Sequence, residues 1–160
     1  MARVLIVGCG CRGRTLAASL IEQGLAVRGT TRNPAVAEEL PAVGVEPAVA
    51  DPDRLATLVP HLAGASVVCW LLGSATGPSA PNLHGVRLET LLAHIVDTPV
   101  RGLVYEAAGI VADGLLAQGR SLVAEAGARW RLPAVVVTED PGRHEAWLAA
   151  MTGAVGEVLG

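Results

Sequence analysis

Lysine is absent from this sequence of 160 residues, so its 12 cationic side chains other than histidine are all arginine. Without lysine the chain has no lysine-dependent phosphate loop, no Schiff-base amine and no tyrosine–lysine catalytic pair. Phenylalanine is also absent, and Tyr105 is the single tyrosine. Three cysteines are too few for a disulfide framework, and Cys9 and Cys11 stand too close together for the usual zinc pair. We therefore predict neither a disulfide framework nor a metal site.

An excess of positive charge is missing as well. The formal net charge is −3, whereas neutralising nucleic-acid phosphates needs a basic face, so we expect no nucleic-acid partner. No formally charged residue occurs between residues 55 and 86, but Pro60, Pro78 and Pro81 interrupt this stretch. Its continuous apolar part is far shorter than the roughly 20 residues of a membrane span, so we expect no membrane segment. The chain opens on a strand pattern rather than a signal peptide, so we expect a cytoplasmic location.

Short apolar runs alternate with segments of helical periodicity along the whole chain. The pattern predicts strands over 3–7, 25–30, 43–50, 66–72, 100–105 and 132–138. It predicts helices between them over 13–23, 34–40, 51–59, 82–96 and 113–130. Strands this apolar must be covered on both faces. With right-handed crossovers, the pattern predicts an α/β fold: a three-layer, doubly wound parallel sheet of Rossmann type with strand order 3-2-1-4-5-6.

The tail from residue 141 to residue 160 has apolar residues at helical spacing, among them Trp147, Met151 and Val155. We expect one domain over residues 1–160, with this tail forming a C-terminal helix. The helix either packs on the domain or forms a two-fold contact in a homodimer. The sequence leaves both arrangements open.

A glycine-rich turn is the strongest motif of the chain. It follows the first predicted strand, opens the first predicted helix, and reads Gly8-Cys9-Gly10-Cys11-Arg12-Gly13. In this context Gly-x-Gly-x-x-Gly is typical of dinucleotide binding. Gly8 permits the tight turn, Gly10 lets the backbone approach a pyrophosphate, and Gly13 lets the helix pack closely on the strand. The helix N-terminus then offers free N–H groups and the positive end of its dipole to the phosphates.

The end of the second strand indicates which dinucleotide is bound. NAD-specific sites place Asp or Glu there to hold the ribose hydroxyls, whereas this chain has Thr31 and Arg32. A hydroxyl and a guanidinium suit the 2′-phosphate of NADP(H), so we predict NADP(H) as the cofactor, with Arg12 as a second phosphate partner. Asp51, after the third strand, either accepts the adenine amine or caps the following turn, and one residue could do both.

The nicotinamide is expected beyond the ends of the fourth and fifth strands, because ligands of this fold bind outside the carboxyl ends of the strands. On that basis Leu71, Leu72 and Gly73 are predicted to contact the cofactor. Glu106 is the ionisable group at the end of the fifth strand and is a candidate for a catalytic acid. The alternative is a structural carboxylate that caps a helix or pairs with Arg101.

These motifs resemble the NAD(P)-binding Rossmann domain of atypical short-chain dehydrogenases, the NAD-dependent epimerase/dehydratase-like and NmrA-like proteins. The resemblance is carried by the glycine turn, by Thr31-Arg32-Asn33-Pro34, by Asp51 and by the segment 100–105. Catalytic members use a serine near the end of the fifth strand and a Tyr-x-x-x-Lys helix. This chain instead reads Glu106-Ala107-Ala108 at the serine position, and Val7 stands where most of those enzymes have their first glycine.

Two functions follow from this combination. The first is an NADPH-dependent oxidoreductase that passes hydride to a small conjugated acceptor of unknown identity without a Ser/Tyr/Lys relay, since hydride transfer depends mainly on positioning. Single-domain flavin reductases related to these proteins resemble that case. The alternative is a non-catalytic NADP(H)-binding sensor or regulatory module, as in NmrA-like proteins.

Overall fold

Six parallel strands form one sheet in the order β3-β2-β1-β4-β5-β6. The computed structural model describes all 160 residues. In chain order the strands are β1 (Arg3–Val7), β2 (Ala26–Thr31), β3 (Glu46–Val49), β4 (Val67–Trp70), β5 (Gly102–Glu106) and β6 (Ala134–Val137). The predicted doubly wound sheet and its strand order are confirmed.

Helices cover both faces of the sheet. They are α1 (Cys11–Glu22), α2 (Pro34–Ala37), α3 (Leu55–Leu58), α4 (Ala80–Leu83), α5 (Val86–Ile95), α6 (Asp113–Trp130) and α7 (His144–Leu159). Side chains of α1 and α7 share one buried cluster with one face of the sheet. Side chains of α3, α4, α5 and α6 share the cluster on the opposite face. The alternation of strands and helices therefore produces three layers, because each face of an apolar sheet must be buried.

Prolines shorten two of the predicted helices. The helix expected over 34–40 ends at Ala37 and is followed by a 3-10 turn, Leu40–Val43, with proline in its first turn. The helix expected over 51–59 is reduced to Leu55–Leu58 and a 3-10 turn, Val59–Leu62, again with proline in its first turn. Proline has no N–H to donate to the preceding turn, so it favours a new turn over continuation of the α-helix.

The helix predicted over 82–96 is also divided, because Gly85 lies between α4 and α5 in a backbone conformation that is neither helical nor extended. A Cβ atom at Gly85 would lie 2.8 Å from the carbonyl oxygen of Pro81. Glycine is therefore the residue that allows the chain to turn here, and the sequence pattern alone does not reveal this close approach.

The C-terminal helix α7 packs on the sheet. Trp147, Met151 and Val155 are fully buried, and α7 contacts β4, β5, β6 and α1. Burial of side chains this large stabilises the fold by about 1.5–3 kcal/mol for each aliphatic residue. None of the helices combines the length and the apolar character that a membrane crossing requires.

Candidate functional site

A cleft of about 380 Å³ runs along the carboxyl ends of β1 to β4. All the residues predicted to bind the cofactor line it except Gly73. The residues brought together are Gly8, Cys9, Gly10, Cys11, Arg12, Gly13, Thr31, Arg32, Asp51, Leu71 and Leu72. The position agrees with the rule that ligands of such sheets bind where the strand order reverses, which here is between β1 and β4.

The glycine turn has the backbone geometry that its sequence predicts. Gly8 has a positive φ of 88°, and a Cβ atom there would lie 2.6 Å from the carbonyl oxygen of Leu71. Gly10 has no neighbouring atom within 4 Å of its Cβ position, so its backbone faces open space. A Cβ atom at Gly13 would crowd Cys9 at 3.2 Å. The turn therefore leaves room for a ligand at Gly10 and is closely packed at the other two glycines.

Cys9 anchors the turn from below. Its N–H donates to the carbonyl of Thr30 at 2.8 Å, and its side chain is buried against Gly29 of β2, where a Cβ atom would lie 2.7 Å from the sulfur. Burial raises the pKa of the Cys9 thiol to about 11. Cys9 is therefore a packing residue, and the need for glycine at position 29 is a feature that the sequence analysis missed.

The N-terminus of α1 is open to an anion. No side chain caps it, and its first turn contains no acidic residue. The unpaired N–H groups of a first helical turn and the positive end of the dipole favour a bound phosphate. With the open backbone of Gly10 beside it, this end of the cleft fits a diphosphate.

Arg32 lines the cleft directly after β2 and is exposed. It takes part in no ion pair, whereas Arg12, the other arginine of the lining, is paired. Its neighbour Thr31 accepts a hydrogen bond from the N–H of Asn33 at 3.2 Å, and Asn33 caps α2. Arg32 is therefore the guanidinium of the cleft whose charge is available to an anionic group.

Asp51 lines the cleft and also stabilises the turn that follows β3, while its contact with adenine stays a prediction. Its carboxylate accepts a hydrogen bond from the N–H of Asp53 at 2.9 Å. The capped unit is a turn rather than a helix, because α3 begins only at Leu55.

Asp53 joins the turn after β3 to α4 and α5 at the rim of the cleft and was not predicted. Its carboxylate accepts hydrogen bonds from Arg87 at 3.1 Å, from Ser79 at 3.1 Å and from Asn82 at 3.4 Å. These hydrogen bonds lower the pKa of Asp53, and the bond from Arg87 has the largest effect. The acidic pair in the segment Asp51-Pro52-Asp53 was the signal in the sequence, but its partners lie about 30 residues away in the chain.

Glu106 lies at the end of β5 and is fully buried. Its carboxylate accepts two hydrogen bonds from Arg12, from Nη2 at 2.7 Å and from Nε at 3.3 Å. It also accepts one from the N–H of Gly73 at 2.9 Å and one from Nε1 of Trp147 at 2.8 Å. Four N–H donors from three residues therefore surround this carboxylate.

The partners of Glu106 differ from those that the sequence suggested. Arg101 does not pair with it and donates instead to the carbonyl of Leu159. Arg12 was predicted as a phosphate partner and forms the ion pair, with its guanidinium 5.8 Å from the centre of the Trp147 ring. Gly73 is absent from the cleft lining because it packs against Ala108 and Glu106. Glu106 as an acid stays a prediction.

Tyr105 is buried and does not reach the cleft. Its hydroxyl lies 2.6 Å from Nδ1 of His84, whose Nε2 lies 3.0 Å from the carbonyl of Leu72. The carbonyl can only accept, so the geometry assigns the proton to Nε2 and leaves Nδ1 to accept from the hydroxyl. Burial lowers the pKa of His84 and raises that of Tyr105. Trp70 is likewise buried, with Nε1 bonded to the carbonyl of Leu83.

A curated protein is similar in sequence to most of this chain. The chain is 27% identical, over 120 residues, to the 4-hydroxy-2-methyl-3-oxo-4-farnesyl-3,4-dihydroquinoline-1-oxide ketoreductase of Stigmatella aurantiaca, covering 72% of this chain and 35% of that protein. It therefore spans about a third of the length of this curated relative. No protein-family profile matches the sequence.

Solved structures match most of the chain. A Bacillus halodurans protein provisionally assigned as an NAD-dependent epimerase/dehydratase superimposes with a TM-score of 0.72 at 19% identity, covering 88% of this chain and 71% of that one. A short-chain dehydrogenase/reductase superfamily protein from Agrobacterium tumefaciens with bound NAD gives 0.65 at 21% identity, covering 84% and 48%. The fold is that of the NAD-dependent epimerase/dehydratase and short-chain dehydrogenase proteins, as the resemblance predicted.

Proposed function

We propose that this protein binds NADP(H) in the cleft along β1 to β4. The observation that carries the proposal is Arg32, an unpaired guanidinium at the end of β2, where an NAD-specific site has a carboxylate. The diphosphate lies at Gly10 and the N-terminus of α1, and the 2′-phosphate lies at Arg32 and Thr31. Asp51 faces the adenine.

The comparisons support the coarser part of this proposal. Several of the similar solved structures contain NAD, among them the Agrobacterium protein and a UDP-glucuronic acid 4-epimerase from Bacillus cereus. The curated relative is a ketoreductase. Together with the fold they favour a nicotinamide dinucleotide and an oxidoreductase-like protein. The preference for NADP(H) depends on Arg32 and is our own inference.

The catalytic form of the proposal is an NADPH-dependent reduction of a small conjugated acceptor. The bound dinucleotide supplies the hydride, and the chain binds and orients it. NADPH oxidation with flavin and quinone acceptors tests this form. Turnover in the wild-type protein that disappears in Glu106→Gln supports Glu106 as the acid, and turnover that persists in Glu106→Gln assigns protonation to water.

The second form is a non-catalytic NADP(H)-binding module, and a specific observation favours it. The end of β5, where hydride transfer would take place, is filled by Glu106, Arg12 and Trp147. Failure of every acceptor tried to consume NADPH, in a protein that binds it, supports this form.

Thermal unfolding with added nucleotide separates binding from its absence. A ligand present at 100 times its dissociation constant stabilises the folded state by about 2.7 kcal/mol. We expect the midpoint to rise with NADPH and to rise less with NADH. An equal rise with both nucleotides contradicts the role of Arg32, and no rise with either contradicts the proposal.

A further inference from the structure

The cleft covers only one half of the crevice that a dinucleotide normally crosses. Dinucleotides lie across the two halves of a doubly wound sheet, one half on each side of the strand-order reversal. Here the lining comes from the ends of β1, β2, β3 and β4, from the loop after β4 and from single turns of α1, α2 and α4. It includes no residue of β5 or of the loop after it. The cleft therefore does not extend to the half of the crevice on the β5 side.

An ion-pair cluster fills that second half. We define the β5 cluster as Arg12, Gly73, Glu106 and Trp147, which are joined by the four hydrogen bonds to the Glu106 carboxylate. Glu106 and Trp147 are fully buried. The cluster thus occupies the end of β5 with well-packed side chains.

The loops after β4 and β5 close the remaining gap by direct backbone contact. The N–H of Val111 donates to the carbonyl of Gly73 at 3.0 Å. A Cβ atom at Gly73 would overlap the carbonyl of Ala108, and one at Gly109 would overlap the backbone of Gly73. A ring the size of nicotinamide cannot enter between two backbones that leave no room for a methyl group.

Opening the cluster is expensive. A ring entering at β5 must displace Arg12, which leaves the buried Glu106 carboxylate without its counter-charge. Removing one partner of a buried ion pair is strongly unfavourable, by roughly a hundredfold or more in an equilibrium constant. Contacts made by the nicotinamide ring at the end of β5 would have to offset the loss of this ion pair before they could contribute to binding.

We propose that the cleft recognises only the adenosine end of its ligand, a 2′-phosphoadenosine with a 5′-diphosphate, and leaves the nicotinamide outside the protein. This inference rests on the proposed binding of NADP(H) and specifies which part of the ligand the protein contacts. It favours the non-catalytic form of the proposed function, because a nicotinamide outside the protein is not oriented for hydride transfer. The ligand class is then any nucleotide that carries this end, whatever group follows the diphosphate.

Arg12 can contact the bound nucleotide while it remains paired with Glu106. It lines the cleft, and its side chain is 28% exposed. Nε and Nη2 bond Glu106, while Nη1 makes no hydrogen bond in the structure. Because the guanidinium carries five N–H donors, Nη1 of Arg12 can donate to the 5′-diphosphate of the ligand while Nε and Nη2 remain bonded to Glu106.

Calorimetric titration of the wild-type protein with two ligands tests the inference. One is NADP⁺, and the other is 2′-phosphoadenosine 5′-diphosphoribose, which is the same molecule without nicotinamide. We expect dissociation constants within threefold of each other. A truncated ligand that binds tenfold or more weakly than NADP⁺ overturns this inference and leaves NADP(H) binding intact. Binding of neither ligand overturns both.

A matched variant and a spectroscopic measurement complete the test. Arg32→Ala should weaken both ligands by the same factor, because both carry the 2′-phosphate. Weakening of NADP⁺ alone contradicts the inference. The nicotinamide fluorescence of bound NADPH should have the same intensity and emission wavelength as that of free NADPH in water. A several-fold increase in intensity with a blue shift, as expected for a buried ring, overturns the inference.

Discussion

Arg12 and Glu106 stand 94 residues apart in the sequence and form a two-bond ion pair, with Nη2 and Oε1 separated by 2.7 Å. The pair joins the glycine turn after β1 to the end of β5. Trp147 of α7 donates to the same carboxylate, so the C-terminal helix takes part in this arrangement. Catalytic short-chain dehydrogenases, which this chain resembles, have a serine at the position of Glu106. In this chain the position carries a buried carboxylate, and Arg12 of the glycine turn neutralises its charge.

The first prediction concerns the stability that this pair provides. Arg12→Ala leaves the Glu106 carboxylate buried without a counter-charge, which costs about 3–5 kcal/mol. Arg14→Ala is the matched control, because Arg14 pairs with Glu39 on the surface and such pairs contribute about 0–1 kcal/mol. Urea unfolding measures both free energies. Equal losses in the two variants contradict the structural role of the Arg12–Glu106 pair.

The second prediction concerns cofactor choice. Arg32→Ala removes a charge-assisted hydrogen bond of about 1.5–3 kcal/mol, so the dissociation constant for NADP⁺ should rise by about 10- to 100-fold. The dissociation constant for NAD⁺ should change by less than about twofold, because NAD⁺ has no 2′-phosphate. Arg54→Ala is the control, since Arg54 is exposed nearby but does not line the cleft. Parallel losses for both nucleotides in Arg32→Ala count against the assignment.

The third prediction tests the packing of Tyr105 beneath α6. A Cβ atom at Gly119 would overlap the Tyr105 hydroxyl, whereas one at Gly114 of the same helix has no atom within 4 Å. Gly119→Ala should destabilise the fold by about 1–3 kcal/mol through overpacking. Gly114→Ala should stabilise it by about 0.4–1 kcal/mol through the unfolded state. Thermal unfolding of the two variants shows whether the signs differ as expected.

The fourth prediction is a loss of stability in acid caused by His84. Because burial lowers the pKa of His84 in the folded state below its usual value of 6.5, the unfolded chain binds the proton more readily. The stability is complete above pH 6.5 and falls as the pH decreases towards the folded pKa, by at most about 1.4 kcal/mol per pH unit. The lowered pKa of Asp53 acts only in more acidic solution, below its usual value of 3.8.

Urea unfolding between pH 7.5 and 4.5 measures this dependence. The His94→Gln variant is the control, since His94 is exposed and the acid sensitivity should persist without it. Titration of the imidazole resonances by NMR assigns the effect directly. A His84 resonance that titrates at or above pH 6.5 contradicts the prediction.

The fifth prediction separates the three cysteines. Burial raises the pKa of Cys9 to about 11 and that of Cys69 to about 12, while Cys11 is exposed in the cleft. The thiolate is the reactive form, so a thiol reagent at pH 7.5 should modify one cysteine in the folded protein and all three after unfolding. Cys11→Ser should abolish the fast reaction, and saturating NADP⁺ should slow it. Rapid modification of more than one thiol in the folded protein contradicts this prediction.

The sequence was enough to predict the features that depend on local pattern. The alternation of apolar runs and helical segments predicts the sheet, because each run needs cover on both faces. The glycine turn was found because Gly8, Gly10 and Gly13 act within one strand–turn–helix unit. Arg32 could be predicted to line the cleft because it directly follows β2, while its role in binding a 2′-phosphate stays a proposal.

The sequence was not enough where a role depends on a distant partner. Glu106 was recognised as an unusual ionisable group, but its partner depends on where the glycine turn and α7 meet β5, and no local pattern contains that. Gly29 is required because Cys9 packs against it, and Gly85 because Pro81 lies close by. Each of these is a steric requirement that only the folded arrangement defines.

A crystal structure of the protein with NADP⁺ tests the central claim most directly. We predict the diphosphate at Gly10 and the N-terminus of α1, the 2′-phosphate within hydrogen-bond distance, roughly 3 Å, of the Arg32 guanidinium, and the Arg12–Glu106 pair intact. A dinucleotide absent from the cleft at saturating concentration, or one whose 2′-phosphate points away from Arg32, contradicts the account.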